Sequence, residues 1–121
     1  MSDQNPPDHR THLRWVNEHL MQVFGRDVEV RRVVAFVAGF DAATGYSLLR
    51  GFQEWLVVRI GEGHEVHWMG LVEKVAREEG SQPGRVLELV DEFLADVDDR
   101  DGRRVLYRQF DQLRRDYLSE G

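Results

Sequence analysis

The 121-residue sequence contains no cysteine. The chain can therefore form no disulfide framework, no cysteine-ligated zinc or iron–sulfur site and no thiol nucleophile, and an intracellular setting is the default. It also lacks an apolar run that would suit a secretory signal or approach the roughly 18 residues of a membrane span. These absences predict a soluble, cytoplasmic protein without a membrane partner.

Lysine is nearly absent as well, since Lys74 is the single lysine among 16 basic residues and the others are arginines. That bias is typical of a GC-rich coding sequence and has no functional weight here. The 22 acidic residues bring the net charge to −6. Because nonspecific affinity for nucleic acid depends on clustered positive charge, this balance argues against a general nucleic-acid binder and favours a basic protein partner.

The charge is distributed unevenly toward the end of the chain. Residues 81–99 contain one basic and six acidic residues, whereas residues 100–121 contain six basic and four acidic residues. If these segments are antiparallel helices, the acids can pair with the arginines at the surface; otherwise the acidic face is kept for a partner. In the first interpretation the acids Glu88, Asp91, Glu92 and Asp96 face the arginines Arg103, Arg104, Arg108 or Arg114.

The spacing of the apolar residues predicts an all-α fold, a single-domain bundle of about six helices. Residues 1–7 are expected to be disordered, and residues 8–121 to form the domain. The clearest helical pattern lies in SQPGRVLELVDEFLADVDD, for which Ser81 is the expected N-cap. RRVLYRQFDQLRRDYLSEG repeats the pattern, so the chain is expected to end in an antiparallel helical hairpin.

Two segments leave a choice between helix and strand. Residues 28–40 contain valines with strand propensity at helical spacing, and residues 55–60, WLVVRI, also fit a short strand. Helix is the prediction for both, because an isolated strand cannot satisfy its backbone groups and no other segment offers a partner strand. Gly51 is expected inside a helix of YSLLRGFQEWLVVRI, where it would permit a close helix crossing.

The stretch GEGHEVHWMG, residues 61–70, resembles a chemical site more than any other part of the chain. A zincin helix needs H-E-x-x-H, but His64 and His67 are one residue too close. The Glu-x-x-His motif of di-metal bundles is also missing, because no histidine follows a glutamate by three residues. The metal hypothesis that survives requires His64 and His67 to meet His9 and His12 in space; the alternative places these histidines at exposed helix starts.

No other catalytic constellation is recognisable. Gly61-Glu62-Gly63 lacks the third glycine, the preceding strand and the lysine of a phosphate-binding loop, and no serine lies in a nucleophile elbow. The sequence therefore assigns no catalytic residue and no cofactor.

One segment carries a resemblance. GFDAATGYSLLRGFQEWLVVRIGEG, with the later His67-Trp68 and Leu71-Val72, resembles a group of small uncharacterised actinobacterial proteins. The resemblance implies an actinobacterial host, in agreement with the arginine bias, and it implies no activity and no site residue.

Two main function classes follow. The first is a small acidic protein-binding module, in its sharpest form an immunity or antitoxin-type inhibitor that covers a basic partner. The second is a helical nucleic-acid-binding regulator that uses the basic segment RRVLYRQFDQLRR. Self-association into a homo-oligomer is also compatible with the sequence. The residues expected to contact a protein partner are Glu88, Asp91, Glu92, Asp96, Asp98 and Asp99, with Trp15 as an exposed anchor off its helical stripe.

Overall fold

A computed structural model describes residues 9–97 and 100–120 of the chain. Over these two ranges the chain forms seven helices and no strand, which confirms the all-α prediction. The expectations for residues 1–7, Asp98 and Asp99 lie outside the described residues. The helices are α1 (His9–Glu18), α2 (Leu20–Phe24), α3 (Val30–Ala43), α4 (Phe52–Ile60), α5 (Trp68–Glu78), α6 (Gly84–Asp96) and α7 (Arg100–Glu120).

Both segments that left a choice between helix and strand are helical. The valines of the first segment form the buried face of α3, where Val33, Val34 and Val37 follow each other at helical spacing. WLVVRI forms most of α4, in which Trp55, Leu56 and Val57 are buried. Burial against neighbouring helices outweighs the strand propensity of the β-branched residues, as it commonly does.

The N-terminal segment contains two short helices, α1 and α2, separated by a turn. The chain turns at His19, whose φ of −118° and ψ of 33° are not helical, and α2 then continues to Phe24. Gly25 ends α2 with a φ of 93°, and its N–H donates to the Met21 carbonyl at 2.8 Å. The turn at His19 separates α2 from α1 and raises the number of helices in the described residues to seven.

Gly51 does not lie inside a helix, so that expectation is wrong. It is the N-cap of α4, with a φ of 94°, and a turn precedes it. A Cβ atom at this position would lie 3.2 Å from the Tyr107 hydroxyl and 3.6 Å from Leu106 Cδ2. The expected close approach of another helix is therefore present, since α7 contacts this position. It occurs at the N-cap of α4, where the backbone is left-handed and a residue with a Cβ atom would be strained.

Ser81 is not the N-cap of α6, because Pro83 occupies that position. Ser81 instead has a φ of 59°, and its N–H donates to the Ala76 carbonyl at 2.7 Å. Together with Gly80, at a φ of 102°, it closes the C-terminus of α5. The bond spans five residues, as in a Schellman motif, and satisfies a carbonyl that the helix leaves unpaired.

Helix α6 lies at the centre of the bundle and packs against α1, α3, α4 and α5. Phe93 is fully buried, with its ring centroid 5.1 Å from that of Phe52 and 6.0 Å from that of Trp55. Helix α7 packs mainly on α4, so the hairpin of α6 and α7 stays a prediction. None of the described helices combines the length and apolar character needed to traverse a lipid bilayer.

Two glycine-to-alanine substitutions should have opposite effects on the free energy of unfolding. Gly51→Ala should destabilise the fold by about 1 to 2 kcal/mol, because alanine resists a positive φ and its Cβ crowds Tyr107. Gly39 lies in α3, and a Cβ added there would have no atom within 4 Å. Gly39→Ala should therefore raise the free energy of unfolding by about 0.5 to 1 kcal/mol, because alanine favours a helix over glycine. Urea unfolding measures both, and equal effects of the two changes would contradict this account of Gly51.

Candidate interaction surfaces

The acidic face of α6 is already occupied by arginines of the same chain. Asp91 Oδ1 accepts from Arg10 Nε at 2.6 Å and from Arg14 Nε at 3.0 Å. Arg10 and Arg14 are four residues apart, so α1 presents both on one side. Burial alone disfavours the charged carboxylate, but the two arginines outweigh it and hold the pKa of Asp91 below its ordinary value.

A second cluster of ion pairs is centred on Arg85, whose side chain is only 17% exposed. Its guanidinium pairs with Glu79, with Glu88 at 3.3 Å and with Glu92 at 3.1 Å. Glu92 also meets Arg59 of α4 at 3.3 Å. Burial opposes the charge of Arg85, yet hydrogen bonds to Glu79 and Glu92 outweigh it and raise the pKa of Arg85.

The predicted pairing of these acids with α7 arginines is therefore wrong. The arginines that pair with them belong to α1, α4 and α6 itself, because α6 packs against α1 and α4 while α7 packs mainly on α4. The fourth acid, Asp96, accepts the indole N–H of Trp55 at 2.8 Å. All four described acids of the expected partner-binding face thus have a partner inside the chain. We call the eight charged residues of the two clusters the ion-pair network: Arg10, Arg14, Arg59, Arg85, Glu79, Glu88, Asp91 and Glu92.

The arginines of α7 contrast with this network. Arg104, Arg108 and Arg115 are exposed and make no ion pair with a described residue. Their spacing places them on one side of the helix, away from the buried Leu106. Arg103 differs, because its Nε donates to the Val97 carbonyl at 3.4 Å. The solvent side of α7 consequently presents three arginines without an ion pair in the described chain.

The GEGHEVHWMG stretch joins α4 to α5 and has a structural role. His67 is the N-cap of α5, and its Nδ1 accepts the Met69 N–H at 3.3 Å. Trp68 opens the helix against the core, with its ring 5.6 Å from that of Phe52. Gly63 has a φ of 98°, and a Cβ there would lie 2.6 Å from Leu71 Cδ2. The stretch therefore folds back closely on α5, and a polar residue caps the helix as expected.

The four histidines of the metal hypothesis do not meet. His64 lies against α7, with ring centroids 5.6 Å from Phe110 and 5.0 Å from Tyr117, whereas His9 and His12 lie against Phe40 of α3 at 5.4 and 5.7 Å. Among residues 9–97 and 100–120, no three histidine, aspartate or glutamate side chains are grouped to hold a metal ion. The geometric requirement of that hypothesis is not met.

The end of α7 is held by the same stretch. Tyr117 donates its hydroxyl to Glu65 Oε1 at 2.9 Å, and this bond raises the pKa of Tyr117. Both ring nitrogens of His64 are buried beside it without a hydrogen-bond partner in the described chain. The last turns of α7 bury little apolar surface, since Tyr117 and Leu118 are exposed. They are held instead by the hydrogen bond to Glu65 and by the stacking of Tyr117 on His64.

An aromatic surface covers the side of α1 that faces α3. Trp15 is 49% exposed and stacks between two histidines, with its ring 6.3 Å from His12 and 4.4 Å from His19. His12 also stacks on Phe40. His19 Nδ1 lies 2.8 Å from the Trp15 carbonyl, which can only accept, so this nitrogen carries the hydrogen. We call His12, Trp15, His19 and Phe40 the Trp15 surface.

The sequence predicts Trp15 as an exposed anchor; the structure confirms its exposure, and the anchor role stays a prediction. The histidine stack around it was missed, although the spacing of His12, Trp15 and His19 contained a signal, since residues three and seven apart share a helical side. The approach of Phe40 had no signal in the sequence, because it depends on the packing of α3.

Comparison of the chain with protein-family models, with curated proteins and with solved structures found no match. The resemblance to actinobacterial proteins thus stays a prediction. Three surfaces of the described chain are candidates for function: the ion-pair network, the basic side of α7 and the Trp15 surface.

The carboxylate of Asp91 should make stability depend on pH. Its pKa is lower in the folded chain, so the unfolded chain binds the extra proton as pH falls below about 4, and the stabilisation present at neutral pH is then lost. Asp91→Asn should lower the free energy of unfolding by about 1 kcal/mol at neutral pH and by less at about pH 3.

Urea unfolding at both pH values measures this difference. Asp111→Asn is the matched control, because Asp111 is an exposed carboxylate of α7 without an ion pair in the described chain. A cost of Asp91→Asn that does not shrink with acid would contradict a role for the charged pair.

Proposed function

We propose that the protein is a helical protein-binding module and that partner contact is centred on Trp15. The observation that carries this proposal is the half-exposed indole in the Trp15 surface. The large side chain is held in place on the surface without being covered by the fold.

The physical argument concerns the cost and gain of binding. A tryptophan that is stacked between two rings loses little side-chain entropy when a partner covers it. Burying its remaining apolar area then contributes directly to affinity, and tryptophan is enriched among residues that dominate interface energies. The flanking imidazoles supply polar edges around an apolar centre, which is the arrangement that excludes water in protein interfaces.

The sharper proposal of an immunity or antitoxin-type inhibitor with a basic partner has support from the net charge of −6. The ion-pair network limits how the acids of α6 can serve it. To contact the partner, the acids Glu88, Asp91 and Glu92 would each have to leave an arginine of this chain and pair with an arginine of the partner. Such an exchange contributes little net free energy to binding at a surface. The overall charge would then act mainly by steering a basic partner toward the protein.

Trp15→Ala should weaken partner binding by more than tenfold, as expected for loss of a central aromatic anchor. The tagged protein is first used to co-purify partners from its native host, and a protein recovered in equimolar amount is then purified and titrated against each variant. Tyr46→Ala is the matched control, because Tyr46 is 71% exposed but makes no ring contact with the Trp15 surface.

Unfolding measurements should show both variants to be folded, because neither side chain is part of the core. Equal affinity of the Trp15→Ala variant and the natural sequence would overturn the assignment of the contact surface. Recovery of the protein alone would favour self-association.

A second candidate function rests on the basic side of α7. Three exposed arginines of this helix make no ion pair with a described residue: Arg104, Arg108 and Arg115. Their positive charges are therefore available to contact the phosphates of a nucleic acid. Asp111 of the same helix and the negative net charge oppose it. This candidate is a nucleic-acid-binding regulator.

A mobility-shift titration at low salt tests the second candidate. If it is correct, duplex or single-stranded probes shift, the shift weakens steeply with salt, and Arg108→Glu with Arg115→Glu removes it. Arg50→Glu is the control, because Arg50 is exposed, outside α7 and unpaired within the described ranges. Absence of any shift at low salt excludes this function.

A further inference from the structure

A groove of about 600 Å³ lies between α4 and the first turns of α7. Its apolar lining includes Trp55, Val97 and Leu106, which are all buried, and Val58 and Val105 add apolar wall. This volume falls within the range of pockets that bind small ligands or single side chains. The groove is distinct from the Trp15 surface, which is formed by α1 and α3.

The charged groups of the groove are two carboxylates and one guanidinium. Arg59 lies 5.3 Å from the centre of the Trp55 ring and pairs with Glu92 at 3.3 Å, so its charge is already matched. Asp96 uses Oδ2 to accept the Trp55 indole N–H at 2.8 Å, and its other oxygen accepts from no described residue. Asp101 is exposed and has no hydrogen-bond partner in the described chain. Within the described residues, Asp96 therefore keeps one carboxylate oxygen without a donor, and Asp101 forms no ion pair.

We infer that this groove binds an arginine side chain of the protein partner, so that the inference rests on the proposed function and names the chemistry of the partner. The methylene groups of the arginine pack on Trp55, Val58 and Val105, and the guanidinium donates to Asp96 and Asp101. A planar guanidinium suits this place, because it donates in several directions and stacks on aromatic rings.

Other occupants fit the groove less well. An anionic group would face two carboxylates, and an uncharged apolar group would remove those carboxylates from water without a partner, which costs free energy. The groove is also preorganised, because the Trp55 ring is fixed by Asp96 on its edge and by the rings of Phe52 and Phe93 at 6.0 Å. Preorganisation reduces the entropy lost when a side chain is bound.

The indole N–H of Trp55 provides a direct reporter for the test. The 15N-labelled protein is titrated with Nα-acetyl-L-argininamide, and the Trp55 signal is assigned through the Trp55→Phe variant. We expect a saturable shift with half-saturation in the millimolar range, as is usual for a single small group in an open site. The citrulline analogue has nearly the same shape without the charge, and it should give no saturable shift.

Asp101→Asn should weaken the binding of the arginine probe at least severalfold, because it removes one of the two carboxylates that line the groove. Asp111→Asn, on an exposed part of α7 outside the groove, should leave binding unchanged. Absence of a saturable shift of the Trp55 signal, or an equal shift with the citrulline analogue, would overturn the inference.

The same experiment separates this inference from the proposed function. The Trp15→Ala variant should bind the arginine probe like the natural sequence, because Trp15 does not line the groove. Loss of partner affinity in Trp15→Ala without any arginine response would retain the proposed function and reject the arginine site. A saturable response to the arginine probe, together with unchanged partner affinity in Trp15→Ala, would retain the arginine site and reject Trp15 as the centre of partner contact.

Discussion

The burial of α6 against four other helices is the constraint on which the rest of the structure depends. Phe93 packs on Phe52 and Trp55 at the centre of the core, and among the described helices α6 packs closely against α1, α3, α4 and α5. The apolar side of α6 must face inward, so its acidic residues lie at the edges of that side, next to α1 and α4. The arginines on those two helices, together with Arg85 of α6 itself, then decide how the acids are paired.

This packing changes the meaning of the charge pattern. Residues 81–99 carry a formal charge of −5 in the sequence, with one arginine and six acids. In the fold, the ion-pair network contains four carboxylates and four guanidiniums, so its sum is zero. Three of the six acids of this segment, Glu88, Asp91 and Glu92, are thus paired with arginines of the same chain, whereas Arg104, Arg108 and Arg115 stay exposed on α7. Charge in a segment predicts a binding surface only where the fold leaves that charge unpaired.

The placement of Trp55 has a similar consequence for binding. The indole is held by the core on one side and donates to Asp96 on the other, and this position forms one wall of the groove beside α7. Trp15 belongs to a different environment, because its ring contacts are with His12 of α1 and with His19 in the turn that follows α1, and the indole stays 49% exposed. The three tryptophans therefore serve three purposes in the fold, with Trp68 as the residue that enters the core from the start of α5.

The sequence by itself determined the all-α class of the fold, because apolar residues at three- and four-residue spacing share one side of a helix and can be buried together. It also predicted the exposure of Trp15 and excluded the two familiar metal motifs by counting residues in GEGHEVHWMG. Only the tertiary structure decided which arginine pairs with which acid and that Gly51 caps α4 against Tyr107. It also decided that the His64 ring packs against Tyr117 of α7, whereas the His9 ring packs against Phe40 of α3. These outcomes join residues distant in the chain, and their geometry depends on how the helices pack, which spacing within one helix does not specify.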